Sequence, residues 1–330
     1  MSPKDRGSIL VLSLWVLLML STFSLSLSFG VRQRATLLNR LTTLDALYPI
    51  AYSGVEAAKS LVKLDVDLTV DLLTDVWVQA ILKNVDVANG YFVLGSAARP
   101  GLVDEERKIN LNATSAEILS RLFQTVAGLS RQDAEEVAYA LIDWMDSDSF
   151  FGHPQYGAEA SYYENLKFPY TAKNKPYEFL DEMLLVKGMT PEIFEKIKPF
   201  VTVHGSGQVN IHTVSGEVLS ALGFSPVGVE TIVRYRAGTD EIDGTPDDNF
   251  FLDTSVILKD LDQKGKTPLD SSQEVMLASL LTASRLNVVS SVFSVISHAV
   301  FEKNNASLDV EAVIDRAGNV RDWRSLGVPR

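Results

Sequence analysis

Carboxylates gather in two places along this 330-residue chain, and oxygen ligands around an irregular loop are what a hard divalent cation requires. Asp143, Asp146 and Asp148 are followed by Glu159 and Glu164 around a segment rich in glycine and aromatic side chains. That pattern suits calcium; the competing reading is a helix end whose acids simply face water. Asp240, Asp243, Asp247, Asp248 and Asp253 surround Gly244 and Pro246. Their spacing is not that of an EF-hand, which needs a regular D-x-D-x-D-G run and a terminal Glu. The second group is therefore a calcium candidate set against a charged surface turn. No catalytic constellation competes with these loops. There is no cysteine, no G-x-S-x-G elbow, and the four histidines at 153, 204, 212 and 298 have no evident partners. An enzyme is not expected.

Composition narrows the field further. With 46% apolar and 22% charged residues the chain is a folding one, long enough for about two domains. Its 42 acidic against 30 basic side chains give a net charge of -12, which repels a phosphate backbone unless a local basic patch overrides it. General nucleic-acid binding is not expected.

The elements that must carry these loops begin with an apolar segment. Ser8 to Phe29 contains no charge, and a helix of that length covers about 33 Å, enough to cross a bilayer. It is longer than the apolar stretch of an ordinary signal peptide, so a retained membrane helix is preferred to a removed signal. Lys4 and Arg6 before it and Arg32, Arg34 and Arg40 after it leave its orientation open. The apolar spacing continues through Leu47, Pro49 is expected to kink or end the helix, and Ala51 to Leu64 supplies small residues suited to packing on a sheet. A helix from about Val70 to Asn84 and two short strands, Tyr91 to Leu94 and Lys108 to Leu111, flanking a turn at Pro100-Gly101, are expected next.

Then the sequence repeats itself. Ile109 to Leu122 lines up with Val209 to Leu222, with Asn110, Ser115, Glu117, Leu119, Ser120 and Leu122 identical to their counterparts 100 positions on. Two copies of one helical unit follow. Thr114 and Glu117 have capping-box spacing in the first copy, and the second lacks it. Gly128-Leu129-Ser130, Gly188-Met189-Thr190 and Gly223-Phe224-Ser225 each offer a glycine to end one helix and a hydroxyl to start the next. These turns resemble helix-hairpin-helix units, a family often associated with DNA, although here the second glycine is replaced and the flanks are acidic. Beyond Leu286 the period changes to two: Val289 to Phe301, then Leu308 to Asp315 after Asn304-Asn305, then Val320 to Arg324 after Ala317-Gly318-Asn319, read as three antiparallel strands.

The start, KDRG before SILVLSLWVLLML, resembles a prepilin leader. The ordered segments KINLNATSAEIL, AYALIDWMDSD, GAEASYY, AKNKPYEFLDEMLLVKGMTPEIFEKIKPFVTVHG and VNIHTVSGEVLSAL are similar to those of the minor pseudopilin K family of type II secretion. Leu12 stands where most pseudopilins carry a glutamate at the fifth mature position, an absence characteristic of the K type. The stretch AGTDEIDGTPDDNFFLD departs from the family pattern.

The resemblance implies an α+β fold: a pilin-like long N-terminal helix packed on an antiparallel sheet, with a large all-α, helix-hairpin-helix-like (SAM-like) domain inserted between strands. The expected divisions are a leader at 1–7, a membrane helix at 8–29, the pilin-like helix and first strands at 30–112, the inserted domain at 113–285 and the closing strands at 286–330. It also implies cleavage by prepilin peptidase after Gly7 and methylation of Ser8, calcium in the inserted domain, and I-type and J-type minor pseudopilins as partners. The expected location is the bacterial inner membrane, crossed once, with the head in the periplasm and no nucleic acid bound. The expected role is to cap the periplasmic pseudopilus in support of protein export. The rival expectations are a membrane-anchored helix-hairpin-helix protein that captures DNA and a secreted calcium-dependent enzyme.

Overall fold

The computed structural model of the chain describes residues 9–87, 89–95, 101–153, 155–265 and 268–326, and the backbone alone for 3–8. The leader at 1–7, the expected processing residues Gly7 and Ser8, and Pro100 of the expected turn lie outside the fully described residues.

One helix, α1 (Pro3–Lys63), runs through Pro49 without ending. Proline removes a single backbone donor, and the residues on either side hold the helix by their packing. From Ile9 to Phe29 its apolar side chains are exposed. From Leu47 onward the surface divides, and Leu47, Ile50, Ala51, Val55, Ala58, Leu61 and Val62 form a buried stripe at three- and four-residue spacing.

That stripe lies on a six-stranded sheet. The strands β1 (Leu82–Val87) and β2 (Gly90–Leu94) form a hairpin, and β3 (Val103–Asp104) pairs with the same strand that receives β2. The closing strands are β8 (Val292–Phe301), β9 (Ala306–Asp315) and β10 (Val320–Leu326), giving the antiparallel order β1-β2-β8-β9-β10. Alternation decides which face is buried: Phe293, Val295 and Ala299 of β8 and Leu308, Val310, Ala312 and Ile314 of β9 meet the α1 stripe. The helix α2 (Val76–Gln79) adds Trp77, 4.7 Å from the Phe293 ring centroid.

Small residues set how closely α1 approaches the sheet. A Cβ added at Gly54 would stand 2.1 Å from Ser297 Oγ and 3.0 Å from Ser297 Cβ, with Phe92 at 3.2 Å. Ser297 is short and fully buried, so it cannot swing away. Gly54→Val is expected to cost about 2–3 kcal/mol in urea unfolding, as overpacked cores do. Adding Ser297→Gly should restore part of that loss, whereas Ser297→Ala alone should change little because its hydroxyl has no partner.

The three C-terminal strands appear where the sequence places them. Asn305, at φ 53, and Gly318, at φ 90, supply their turns. The earlier elements differ. The helix expected over 70–84 is reduced to α2, and its last residues belong to strand β1, whose Val85, Asp86 and Val87 pair with Phe92, Tyr91 and Gly90 of β2. The strand expected at 108–111 does not join the sheet: β4 (Ile109–Asn110) pairs in parallel with β5 (Val201–Thr202) inside the insertion. Val103–Asp104 takes its place on β8.

The insertion has its own core and is built twice. In the first unit β4 leads to α3 (Ala116–Leu122), then α4 (Arg131–Met145), α5 (Ala160–Glu164) and α6 (Pro191–Ile197), and closes on β5. In the second, β6 (Val209–Asn210) leads to α7 (Gly216–Leu222), α8 (Pro226–Arg236), α9 (Ile257–Lys264) and α10 (Ser271–Thr282), and closes on β7 (Leu286–Asn287), again in parallel. Asn110 and Asn210 play the same part, each side-chain oxygen accepting the backbone N–H two residues on at 2.9 and 3.0 Å. The units touch through α3 and α7, where Arg121 Nε donates to the Ala221 carbonyl at 2.7 Å.

The glycine turns adopt the geometry their sequence suggests. Gly128 (φ 73) and Gly223 (φ 112) end one helix in the left-handed region, and Ser130 and Ser225 cap the next. The capping box does not form: Ser115, not Thr114, is the N-cap of α3, and the Thr114 hydroxyl is buried without a partner. The better cap is in the second copy, where Ser215 accepts from Val218 N–H.

Candidate metal site

Helix α4 ends in the acidic segment. Asp143 lies in its last turn, Asp146 is its C-cap residue, and Glu159 is the N-cap residue of α5. Between them the chain folds back so that one ligand atom each of Asp143, Asp146 and Glu159 lies within 4.8 Å of the others. Asp143 is fixed by backbone donors, Gly152 N–H to Oδ1 and Ala158 N–H to Oδ2, both at 3.0 Å. This close approach explains Gly157, at φ 110: a Cβ there would stand 2.1 Å from Asp143 Oδ2. Asp148 accepts Phe150 N–H at 2.8 Å and lies close enough for its charge to raise the other three acids.

The electrostatics of the group are unfavourable as it stands. Glu159 is 2% exposed, and neither of its carboxylate oxygens has a hydrogen-bond partner; Asp146 Oδ1 has none either. Burial, then repulsion from Asp143, Asp146 and Asp148, pushes Glu159 up to about 7. Burial followed by the neighbouring acids pushes Asp146 up to about 6. Buried carboxylates without donors are costly, and a divalent cation would satisfy all of them at once. Oxygen-only donors of this number fit calcium better than zinc, which takes nitrogen and sulfur ligands. The surrounding aromatic packing holds the loop: Trp144 meets Tyr163 at 5.1 Å and Tyr170 at 6.1 Å between centroids. Tyr162 and Phe168, grouped with them in sequence, are exposed.

The second acidic loop follows α8 as the first follows α4, so the two occupy equivalent places in the duplicated units. Among the described residues its carboxylates form no group of three within ligand distance, and hydrogen bonds within the loop engage them instead. Asp247 Oδ2 accepts from Thr239 N–H at 2.8 Å and Asp240 N–H at 3.1 Å, and Oδ1 accepts from Thr245 Oγ1 at 2.8 Å. The Thr239 hydroxyl, first among these donors, holds Asp247 far below the usual carboxylate range. Asp248 accepts from Gly244 N–H, Asp240 from Ile242 N–H, and Asp243 pairs with the buried Arg236 at 2.8 Å.

Sequence reasoning missed a different acidic centre. Asp65, Asp71 and Asp75 also bring ligand atoms within 4.8 Å, but the Arg316 guanidinium already sits among them, bonding Asp65 at 2.9 Å and also Asp71. Nearby, Asp104 accepts from Ser290 Oγ at 2.6 Å and Thr213 Oγ1 at 2.5 Å, and Glu106 accepts from Ser291 and Ser206 N–H. These bonds tie the strand that enters the insertion to the strand that leaves it. Spacing could not reveal them, because the partners are 100 to 251 positions away in the chain.

Residues 97–206 match the protein-family model described as "Type II secretion system (T2SS), protein K". "Type II secretion system protein K" of Aeromonas hydrophila is 33% identical over 107 residues, covering 31% of this chain and 32% of that protein. "Putative type II secretion system protein K" of Escherichia coli (strain K12) is 25% identical over 131 residues, 36% of this chain and 39% of that one. The matches thus span about a third of the length of these curated relatives. Among solved structures, a chain of the GspK-GspI-GspJ complex from enterotoxigenic Escherichia coli has the same fold. Its TM-score is 0.66 at 20% identity, over 87% of this chain and 99% of that one. The family resemblance and the mixed fold with its long N-terminal helix and antiparallel sheet are borne out.

Proposed function

We propose that this chain, which carries the type II secretion protein K domain over residues 97–206, is a minor pseudopilin that caps the tip of a periplasmic pseudopilus and supports protein export. The observation that carries this reading is one continuous helix whose first half exposes an apolar surface while its second half seats a sheet interrupted by a large insertion. The apolar half fits a single-pass membrane anchor. In this reading the membrane is the inner membrane, prepilin peptidase cuts after Gly7, and the head lies in the periplasm beside I-type and J-type subunits. Two features favour a terminal position. Leu12 offers no carboxylate to pair with a neighbour's amine, and the insertion makes the head too bulky to repeat in a close-packed filament.

Calcium belongs to the same reading, held by Asp143, Asp146 and Glu159 with Asp148 at the rim. The donor-free oxygens of Glu159 support it. Asp240, Asp243, Asp247 and Asp248 are the weaker candidates for a second ion, because they do not gather as the first group does and hydrogen bonds or the Arg236 guanidinium already engage them. Catalysis has no place in this proposal, and neither does DNA binding, which the net charge of -12 disfavours.

Mass spectrometry of the protein recovered from a host with a type II system tests the anchor. The expected product begins at a methylated Ser8. A start near Gly30 would mean a removed signal and would sink the proposal. Co-purification with I-type and J-type subunits is the accompanying expectation.

A further inference from the structure

Between the sheet and the insertion runs an open groove of about 730 Å³. One wall is the sheet face turned away from α1, with Ile296 and Val313 contributing apolar surface, and Phe200 of the insertion stands opposite. Arg107, in the segment that crosses from β3 into the insertion, also lines the groove. Most of its side chain is removed from water, and burial lowers its pKa, yet it makes no hydrogen bond or ion pair with any described residue. The nearby acids attract it only through space, and three of the four are engaged elsewhere. Glu105 pairs with Lys108 at 2.5 Å, Asp243 with Arg236 at 2.8 Å, and Asp104 accepts from Ser290 and Thr213; Glu217 is the fourth.

A guanidinium is a planar fork of five donors matched to a carboxylate, and leaving it desolvated and unpaired is costly. We infer that this groove binds an extended segment of another polypeptide, with one acidic side chain of that segment paired to Arg107 and its apolar neighbours against Ile296, Val313 and Phe200. Charge complementarity selects this occupant. The groove lining is mixed: Lys108 and Arg324 are already paired, with Glu105 and with Asp322 and Asp181, whereas Lys198 and the acids Glu195 and Glu311 also line it, so the unpaired guanidinium suits a single carboxylate on a mostly apolar segment better than a run of like charges. The inference does not depend on calcium or on the position of the subunit in a filament.

The test uses the full chain in detergent micelles and two capped pentapeptide probes, Ac-ALDLA-NH2 and its neutral counterpart Ac-ALNLA-NH2, followed by isothermal titration. The acidic peptide should bind at least about tenfold more tightly than the neutral one, a difference of about 1.4 kcal/mol. Arg107→Gln should erase that preference. Ile296→Trp, which fills the groove without touching the guanidinium, should weaken both peptides and keeps the test decisive if Arg107→Gln does not fold. Equal binding of the two peptides, a preference that survives Arg107→Gln, or binding by neither would overturn the inference.

Discussion

Adding calcium to metal-free protein is expected to raise its thermal midpoint, and Glu159→Gln is expected to abolish the response. A ligand at 100 times its dissociation constant stabilises the folded state by about 2.7 kcal/mol. For an insertion of this size that corresponds to roughly 5–10 °C. The reason lies in Glu159, whose two buried oxygens lack donors while three other acids stand close by. Gln at this position removes one charge and brings an amide that can donate to Asp146 Oδ1, which also lacks a partner. The metal-free variant should therefore be at least as stable as metal-free wild type, while losing the gain from calcium. Differential scanning calorimetry with calcium and with a chelator reads both effects. A variant that still gains the full increment would show that the ion sits elsewhere.

The second large effect concerns Arg316. It donates to Asp65 and Asp71, bonds the Ser290 carbonyl at 3.1 Å and lies over the Phe293 ring. Asp71 is fully buried. Arg316→Met keeps the stem and its packing but leaves Asp71 with Ser290 N–H as its remaining donor, and losing one member of a buried pair costs about 3–5 kcal/mol. The cost depends on pH in a definite direction. Burial, opposed by Ser290 and Arg316, holds Asp71 up at about 6 against an ordinary value of 3.8. The folded state therefore binds this proton more tightly than the unfolded state. The stabilisation is complete below about 3.8 and is lost as the pH rises through about 6. Without Arg316 the carboxylate is harder still to ionise, so the mutational cost should be largest near pH 8 and shrink below pH 6. Urea unfolding at pH 5 and pH 8 measures it, and an equal cost at both would contradict the assignment.

These two centres mark what the sequence could and could not disclose. Asp143, Asp146 and Glu159 lie within 17 positions of one another on either side of a loop, so their convergence could be read from local spacing. Arg316 and Asp71 are 245 positions apart and meet only when the sheet closes over the end of α1. Period-two alternation made β9 visible, because Leu308, Val310, Ala312 and Ile314 face the core, whereas β8 and β10 were legible from β-rich residues beside the turns at Asn304-Asn305 and Ala317-Gly318-Asn319. The segment from Val70 to Asn84 had no such clarity: Val76–Gln79 does form a helix, but from Leu82 onward pairing with β2 rather than propensity decided for a strand. Ile109–Asn110 looked like a sheet strand because its residue types fit one, yet Val201 of the insertion is its neighbour. The repeat was legible as a repeat. That its two acidic loops would diverge, one gathering three carboxylates and the other consumed by threonines and Arg236, was not, since it turns on where single hydroxyl and guanidinium groups fall.

The bond between Asp104 and Ser290 means that the two places where the sheet module hands the chain over and takes it back lie side by side. An inserted unit whose ends meet can be swapped or excised without pulling the host apart. Joining residue 104 to residue 290 through a short flexible bridge should leave rod and sheet intact, which makes the helical unit separable from the host that carries it.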